Sequence, residues 1–217
     1  MTDAREVEAK FNIDPVAIAR LSQAIRLGQF RETERRTVIQ DDLYFDTRSQ
    51  ALAAARSSFR LRRKADGAQV TFKGSRDAVD SADEAHVASR LEDEVRVGVD
   101  TARRIEDGDF RAEDERLSPI AKARAIAGVD PLSPIARLEN ERVVVVLTDG
   151  DGRELELSID TCRGTRLSDG RVTSFHELEL EAKSAGRQDV LAVATELLAA
   201  VPGIRPNRRT KLERVLR

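Results

Sequence analysis

The stretch EVEAKF at residues 6–11 places a charged side chain at every second position. Glu6, Glu8 and Lys10 alternate there with three apolar residues. Successive side chains of a β-strand point to opposite faces, so the segment is predicted to be a strand with one charged face and one apolar face. A half-buried strand with a solvent-exposed outer face would explain a single segment of this kind.

The same alternation recurs on four further segments, which changes the interpretation. Their charged or polar phases are Arg60, Arg62 and Lys64; Thr71 and Lys73; Glu92, Glu94 and Arg96; and Glu177, Glu179 and Glu181. If these phases point inward, a closed barrel built from the strands encloses a lumen lined with both signs of charge. The alternative is an outward charged face crossed by interstrand ion pairs, and the pattern by itself leaves both arrangements open.

The chemistry of the charged phases indicates what an inward-facing lumen would bind. Closely placed carboxylates need a cation, and Glu6, Glu8, Glu177 and Glu179 offer the hard oxygen ligands that Mg²⁺ or Mn²⁺ prefers. The Arg and Lys side chains need an anion, for which the guanidinium fork fits phosphate oxygens well. A ligand with several phosphates, bound together with a divalent metal, satisfies both sets.

Composition narrows the class of protein. The chain of 217 residues is 40% hydrophobic and 35% charged, carries a net charge of −2 and has only 4% aromatic residues. Neither a global basic field nor a base-stacking surface is indicated, so we expect no nucleic-acid partner. The single cysteine, Cys162, is expected to be a small buried residue. Without a membrane-spanning apolar run or a signal segment, a cytoplasmic protein that does not engage a membrane is expected.

The order of predicted elements indicates a mainly β protein of the α+β kind. A helix is predicted over residues 13–28, with Asp14 as its N-cap and Gly28 as its stop. Short outer helices are expected in residues 101–135, an exposed loop over residues 77–89 and an amphipathic helix over residues 187–201. About eight strands with few helices, in one domain spanning residues 1–217, predict a closed eight-stranded antiparallel β-barrel with a few outer helices.

Nine segments, in chain order, resemble the CYTH domain of the triphosphate tunnel metalloenzymes, and among these the inorganic triphosphatase group. They are EVEAK (6–10), LYFDT (43–47), FRLRRK (59–64), VTFKG (70–74), RLEDE (90–94), ENERVVV (139–145), LSID (157–160), HELELE (176–181) and TKLER (210–214). The first segment alone would be weak, but the ordered set spans nearly the whole chain. The resemblance implies a closed eight-stranded antiparallel tunnel that binds triphosphate compounds with divalent metal.

Carried over by position, the resemblance also implies roles for individual residues. The implied metal ligands are Glu6, Glu8, Glu177 and Glu179, with Mg²⁺ or Mn²⁺ as the ion. The implied phosphate-binding residues are Lys10, Arg60, Arg62, Lys73, Arg142 and Lys211. The implied catalytic carboxylates are Glu6, Glu8, Glu94 and Asp160, the last two as metal-side or water-orienting groups. Because Glu177, Glu179 and Glu181 form a run of three, which two match the family pair stays open.

The expected activity is hydrolysis of a triphosphate compound, with inorganic triphosphate cleaved to diphosphate and phosphate. The alternatives are a class IV type of adenylate cyclase, a thiamine triphosphatase, or a non-catalytic module that binds polyphosphate or nucleotide. Low aromatic content favours the inorganic substrate, because a purine base would find little to stack on. A homodimer is a further option, since the helix over residues 187–201 could form an interface or pack on the barrel.

Overall fold

The computed structural model describes residues 4–65, 67–77 and 84–217. Its strands are β1 (Ala4–Ile13), β2 (Arg26–Leu27), β3 (Phe30–Asp46), β4 (Ser58–Lys64), β5 (Gly67–Arg76), β6 (Ala88–Val97), β7 (Ser133–Thr148), β8 (Glu154–Arg166), β9 (Val172–Ala182) and β10 (Ile204–Pro206). Its helices are α1 (Pro15–Leu21), α2 (Ala51–Ala54), α3 (Val99–Glu106), α4 (Ser118–Ala127), α5 (Arg187–Ala200) and α6 (Lys211–Val215), with a 3₁₀ helix over Ala112–Arg116.

Eight of the strands close into an antiparallel barrel, which confirms the predicted fold class. The order around the barrel is β1-β6-β5-β4-β3-β7-β8-β9, and β9 pairs again with β1. The short strand β10 pairs antiparallel with β1, and the short strand β2 pairs antiparallel with β3. Closure leaves the eight barrel strands with a partner on each side, so the barrel presents no long open edge. None of the described helices is long and apolar enough to cross a membrane.

The apolar phase of the strands faces outward and is covered by helices. On one side, Phe11 of β1 and Leu180 of β9 share a core with Val193 and Leu197 of α5. On the other side, Phe59 and Leu61 of β4 pack with Ile105 of α3 and Ile120 of α4. Because alternate residues of a strand occupy opposite faces, this outer core forces the charged phase into the barrel. Of the two arrangements that the alternation left open, the structure therefore has the inward one.

The C-terminal helix α6 closes one end of the barrel. Leu212 and Val215 of α6 share a small core with Leu138 of β7 and Cys162 of β8, whose side chains lie in the inward phase. Gly164 of β8 makes this close approach possible, since an added Cβ would lie 2.1 Å from Cγ2 of Val215. The predicted burial of Cys162 is confirmed, and burial raises the pKa of its thiol to about 12.

The first predicted helix is shorter than expected. Asp14 does cap α1 by accepting a hydrogen bond from the amide of Ala17, but the helix ends at Leu21. The guanidinium of Arg35 donates to the carbonyl oxygens of Leu21 and Gln23, which satisfies the end of the helix. Gly28 is a turn residue with φ of 55° between β2 and β3, not a helix stop. Of the apolar residues after Leu21, Ile25 reaches the core from the segment before β2 and Leu27 reaches it from β2.

The remaining differences concern strand length and the predicted loop. Strands β3 and β7 run for 17 and 16 residues, well beyond the segments LYFDT (43–47) and ENERVVV (139–145), because each pairs with the other along most of its length. The short outer helices expected in residues 101–135 are present as the 3₁₀ helix and α4, and α3 begins slightly earlier. In the predicted exposed loop, residues 78–83 lie outside the described residues, whereas Val87 is buried in the core beside α5.

The contact between Gly164 and Val215 generates a prediction. Gly164→Ala should lower the free energy of unfolding by about 1–3 kcal/mol, the usual cost of overpacking, because the new methyl group would displace α6. Urea unfolding measures the change.

Two further variants separate overpacking from loss of glycine flexibility. Gly150→Ala is the control, since an added Cβ there meets no atom within 4 Å. Val215→Ala combined with Gly164→Ala should recover part of the loss. A Gly164→Ala protein as stable as the wild type would contradict the close packing of α6.

Candidate functional site

The barrel encloses a cavity of about 550 Å³ whose wall is mostly charged. Every barrel strand contributes to the wall, and α6 contributes at the closed end. The charged residues that line it are Glu6, Lys10, Arg36, Arg60, Arg62, Lys64, Lys73, Arg90, Glu92, Glu94, Arg142, Glu156, Glu179, Glu181, Lys183 and Lys211. Both signs of charge therefore face one enclosed volume.

The basic side of the cavity is built on β4. Arg60, Arg62 and Lys64 occupy alternate positions of this strand, and all three reach the cavity. Behind the two arginines lies Asp42 of β3, which is 1% exposed and accepts hydrogen bonds from both guanidinium groups. At the end of this row of cations, burial and the neighbouring arginines lower the pKa of Lys64.

A second group of charges joins β1, β5 and β6. Both carboxylate oxygens of Glu6 lie 2.9 Å from Nζ of Lys73, and Nε of Arg90 donates to Glu6 over 2.7 Å. A terminal nitrogen of Arg90 lies 3.0 Å from Oε1 of Glu8. Burial opposes ionisation of Glu6, but Lys73 and Arg90 outweigh it and hold the pKa of Glu6 well below its usual range. Both carboxylates are therefore ionised and paired.

The third group brings carboxylates of β8 and β9 around one ammonium group. Nζ of Lys211 lies 2.9 Å from Asp160, 2.8 Å from Glu177 and 2.6 Å from Glu179. One carboxylate oxygen from each of these three residues lies within 4.8 Å of the other two. Arg142 of β7 clamps Asp160 with two hydrogen bonds of 2.7 Å and also donates to Glu179. Despite burial, Lys10, Lys211 and Arg142 hold the pKa of Glu179 well below its usual range.

The structure brings the residues predicted from the sequence to one cavity, in two layers. Nine of them line it directly: Glu6, Lys10, Arg60, Arg62, Lys73, Glu94, Arg142, Glu179 and Lys211. Glu8, Asp160 and Glu177 are buried behind the lining, where they touch its cations. In the run of three carboxylates, Glu179 and Glu181 face the cavity, whereas Glu177 and Glu179 converge with Asp160.

Several charged residues of the site were missed by the sequence interpretation. Arg90 lies in the phase of Glu92 and Glu94, and Asp42 lies in the phase of Tyr44, so extending each alternation by one step would have found them. Arg36, Glu156 and Lys183 lie on the cavity wall beyond the quoted motifs or at their ends. Each of these residues continues the alternation of inward and outward side chains along its strand. How far that alternation extends is shown only by the pairing of the long strands.

Three further residues of the segments that resemble the CYTH domain, Tyr44, Asp46 and His176, were given no role by the resemblance. Tyr44 is the one aromatic side chain that the described residues contribute to the cavity wall, at the end closed by α6. Asp46 lies outside the cavity and accepts hydrogen bonds from the amides of Leu52 and Ala53, so it caps α2. His176 lies within β9, where its Nδ1 is 3.2 Å from the hydroxyl of Thr161.

Glu181 is the carboxylate of this wall whose pKa rises. Burial raises it to about 6, against the opposing effect of Lys183 at 2.8 Å. The folded protein therefore binds this proton more tightly than the unfolded chain, in which the glutamate has its ordinary pKa of 4.5. As pH rises through this window the folded state loses relative stability.

Glu181→Gln removes that titration, so the variant should gain stability over the wild type as pH rises. Between about pH 4.5 and about pH 7 the difference in unfolding free energy should grow by up to about 2 kcal/mol. Urea unfolding of both metal-free proteins at the two pH values measures it. A difference that does not change with pH would contradict the raised pKa.

Solved structures share this architecture at low sequence identity. A candidate adenylyl cyclase from Hippeastrum, described as having a dominant triphosphatase activity, is 20% identical, with a TM-score of 0.69 over 97% of this chain and 95% of that one. A candidate adenylate cyclase from Bacillus halodurans is 18% identical, with a TM-score of 0.65 over 98% and 97%. The protein PH1819 from Pyrococcus horikoshii is 17% identical, with a TM-score of 0.55 over 97% and 98%. At such identities the likeness shows the fold.

The family rests on a match over nearly the whole chain. No curated protein matches the sequence significantly. The family model of the CYTH domain, in contrast, matches residues 4–216. Members of this family bind triphosphate substrates and are mostly metal-dependent triphosphatases. The charged tunnel described above lies within the matched residues, and the chain belongs to the CYTH domain family.

Proposed function

We propose that the protein is a divalent-metal-dependent hydrolase that cleaves inorganic triphosphate to diphosphate and phosphate, with residues 1–217 forming one tunnel domain. The observation that carries the proposal is the cavity wall, in which a basic side on β4 and an acidic side on β1 and β9 face the same volume. A phosphate chain needs the first, and a metal needs the second.

The cations of the wall would hold the phosphate chain. Arg60 and Arg62 can each offer guanidinium hydrogens to non-bridging oxygens, and Lys73 and Lys10 offer ammonium groups from the neighbouring strands. Arg142 and Lys211 reach the same volume from β7 and α6. As the terminal bond breaks, negative charge moves onto the leaving diphosphate, and fixed cations stabilise it without reorganising.

The acidic residues fit a divalent cation by the chemistry of their donors. Glu6 and Glu179 present ionised carboxylates to the cavity, and Glu8, Glu177 and Asp160 stand directly behind them. These residues would hold Mg²⁺ or Mn²⁺, with Glu177, Glu179 and Asp160 as the closest group of oxygen donors. When bound, the ion supplies positive charge at the phosphate oxygens and lowers the barrier to attack by water.

Asp160 and Glu94 have proposed roles besides metal binding. Asp160, which is fully buried behind the lining, also holds Arg142 and Lys211 toward the cavity. Glu94 lies on the open part of the wall, where it can accept a hydrogen bond from an attacking water. Hydrolysis of this kind requires no nucleophilic side chain, so no such role is assigned to the hydroxyl groups of Tyr44, Ser58 and Thr210 on the wall.

The inorganic substrate is favoured over a nucleotide by the composition of the wall. Apart from Tyr44, its apolar members among the described residues are Val38, Val144 and Leu212. A purine would find no second ring to stack against, and the charged residues nearby would lose hydration without gaining partners. The adenylate cyclase and thiamine triphosphatase alternatives therefore become outcomes of the first experiment.

That experiment measures phosphate and diphosphate released by the purified protein. Inorganic triphosphate, ATP and thiamine triphosphate are each offered with Mg²⁺, Mn²⁺ or EDTA. We expect phosphate from inorganic triphosphate with metal and none with EDTA. Diphosphate from ATP, released together with cyclic AMP, would identify a cyclase instead. No turnover, but a rise in melting temperature with triphosphate, would identify a binding module, because a ligand stabilises the state that binds it.

Glu6→Gln tests the metal assignment on the cavity wall. Gln keeps oxygen and nitrogen atoms beside Lys73 and Arg90 but lacks the charge, so kcat/KM should fall about 100-fold or more, and more metal should be needed for half-maximal activity. Glu139→Gln is the control, since Glu139 pairs with Arg163 at an exposed position. Full activity at the same metal concentration in Glu6→Gln would rule out Glu6 as a ligand.

A further inference from the structure

Asp42 is a buried carboxylate that is not among the proposed metal-binding, phosphate-binding or catalytic residues. It lies on β3, opposite Arg62 of β4, and the next inward residue of β3, Tyr44, lies opposite Arg60. Its side chain is 1% exposed and is not part of the cavity wall. Asp42 therefore cannot touch a bound substrate, and any effect on the site must pass through its neighbours.

The contacts of Asp42 are with the two arginines of the basic side. Its Oδ1 accepts a hydrogen bond of 2.6 Å from Nε of Arg62, and its Oδ2 accepts one of 2.7 Å from a terminal nitrogen of Arg62. The same Oδ2 accepts a bond of 3.1 Å from a terminal nitrogen of Arg60. Arg62 is thus held along one edge of its planar group, which aims the other terminal nitrogen away from Asp42.

The physical effect of this arrangement is to order two like charges. Arg side chains lose substantial rotamer freedom when they are fixed, and two neighbouring guanidinium groups repel each other. A carboxylate that both share offsets the repulsion and specifies the direction of each side chain. Burial works against ionisation of Asp42, yet Arg60 and Arg62 lower its pKa to about 2, so the charge is present throughout the neutral range.

We propose that Asp42 is a positioning residue that fixes Arg60 and Arg62 in the orientation in which they bind adjacent oxygens of a phosphate chain. The proposal rests on the proposed function and assigns to this buried residue the geometry of the basic side. It predicts that removing the negative charge of Asp42 lowers the affinity for triphosphate. Removing a negative charge from behind the wall of an anion site would strengthen anion binding by Coulomb's law alone, whereas loss of positioning weakens it.

Calorimetric titration with inorganic triphosphate in EDTA tests this on the full chain. In Asp42→Asn, we expect the dissociation constant to rise at least tenfold even though the cavity has become more positive. Asp42→Glu keeps the charge but moves the carboxylate by one methylene group, and we expect it to weaken binding as well. Unchanged or tighter binding in either folded variant would overturn the proposal, because Asp42 would then be only a counter-charge.

The neighbouring residue provides a matched control. Asp41 lies next to Asp42 on β3 but faces outward, where Arg137 binds it with bonds of 2.8 and 2.6 Å. Asp41→Asn removes the same charge and a similar ion pair without touching the basic side, so its affinity for triphosphate should equal that of the wild type. Thermal unfolding of each variant shows whether it is folded, and Asp42→Glu serves if Asp42→Asn is not.

A second readout separates this proposal from the proposed function. In ¹⁵N-edited spectra, the Nε–H signal of Arg62, assigned with Arg62→Lys, should be protected from exchange in the wild type and in Asp41→Asn, and should lose protection in Asp42→Asn. If wild-type protein fails to bind triphosphate, the proposed function fails, while these signals still report whether Asp42 orders the arginines. Retained protection in Asp42→Asn would overturn the proposal.

Discussion

Charge pairing inside a closed barrel is the constraint on which the rest of the structure depends. A strand has two faces, and helices α3, α4 and α5 cover the outer one, so the charged phase must lie inside. An isolated buried ion costs several kcal/mol, and removing one partner of a buried pair costs about 3–5 kcal/mol. The fold is compatible with this interior because its described carboxylates lie beside cations from neighbouring strands.

Pairing of this kind also sets the properties of the site. Glu6, Glu8 and Glu179 keep their charge although they are buried, because Arg90, Lys10 and other cations touch them. Charges held by a rigid barrel are already oriented before a ligand arrives, which is the condition under which they stabilise developing charge best. Stability and binding therefore draw on the same side chains, and a change that weakens one is expected to affect the other.

The closed end shows how a short element completes the interior. The helix α6 has only five residues, yet it contributes Lys211 to the carboxylates of β8 and β9 and apolar side chains to the core around Cys162. Thr210 caps it by accepting a hydrogen bond from the amide of Glu213. The absence of a side chain at Gly164 allows the helix to approach this closely. A glycine 47 positions earlier in the chain than Lys211 thus helps to place one of the predicted binding residues.

Much of the fold and the candidate site could be predicted because strand alternation is a local property. Glu6, Arg60, Lys73 and Glu179 were found from their spacing, and the closed barrel followed from the number of strands. The helix over residues 13–28 was predicted too long, because Ile25 follows Leu21 at a helix-like spacing of four residues but lies beyond the end of α1, just before β2. At the end of α1, the carbonyl oxygen of Leu21 accepts a hydrogen bond from Arg35, a residue 14 positions further along the chain.

By itself, then, the amino-acid sequence determined which residues of each strand share a face, the mixture of charges on that face and the family to which the chain belongs. Tertiary structure decided that the charged face points inward, how far it extends along β3 and β7, and which side chains form the lining. It also placed Asp42 behind two arginines and Arg90 between two glutamates. The reason is physical: alternation follows from the geometry of one strand, whereas a partner across the barrel is set by register and closure among strands far apart in the chain.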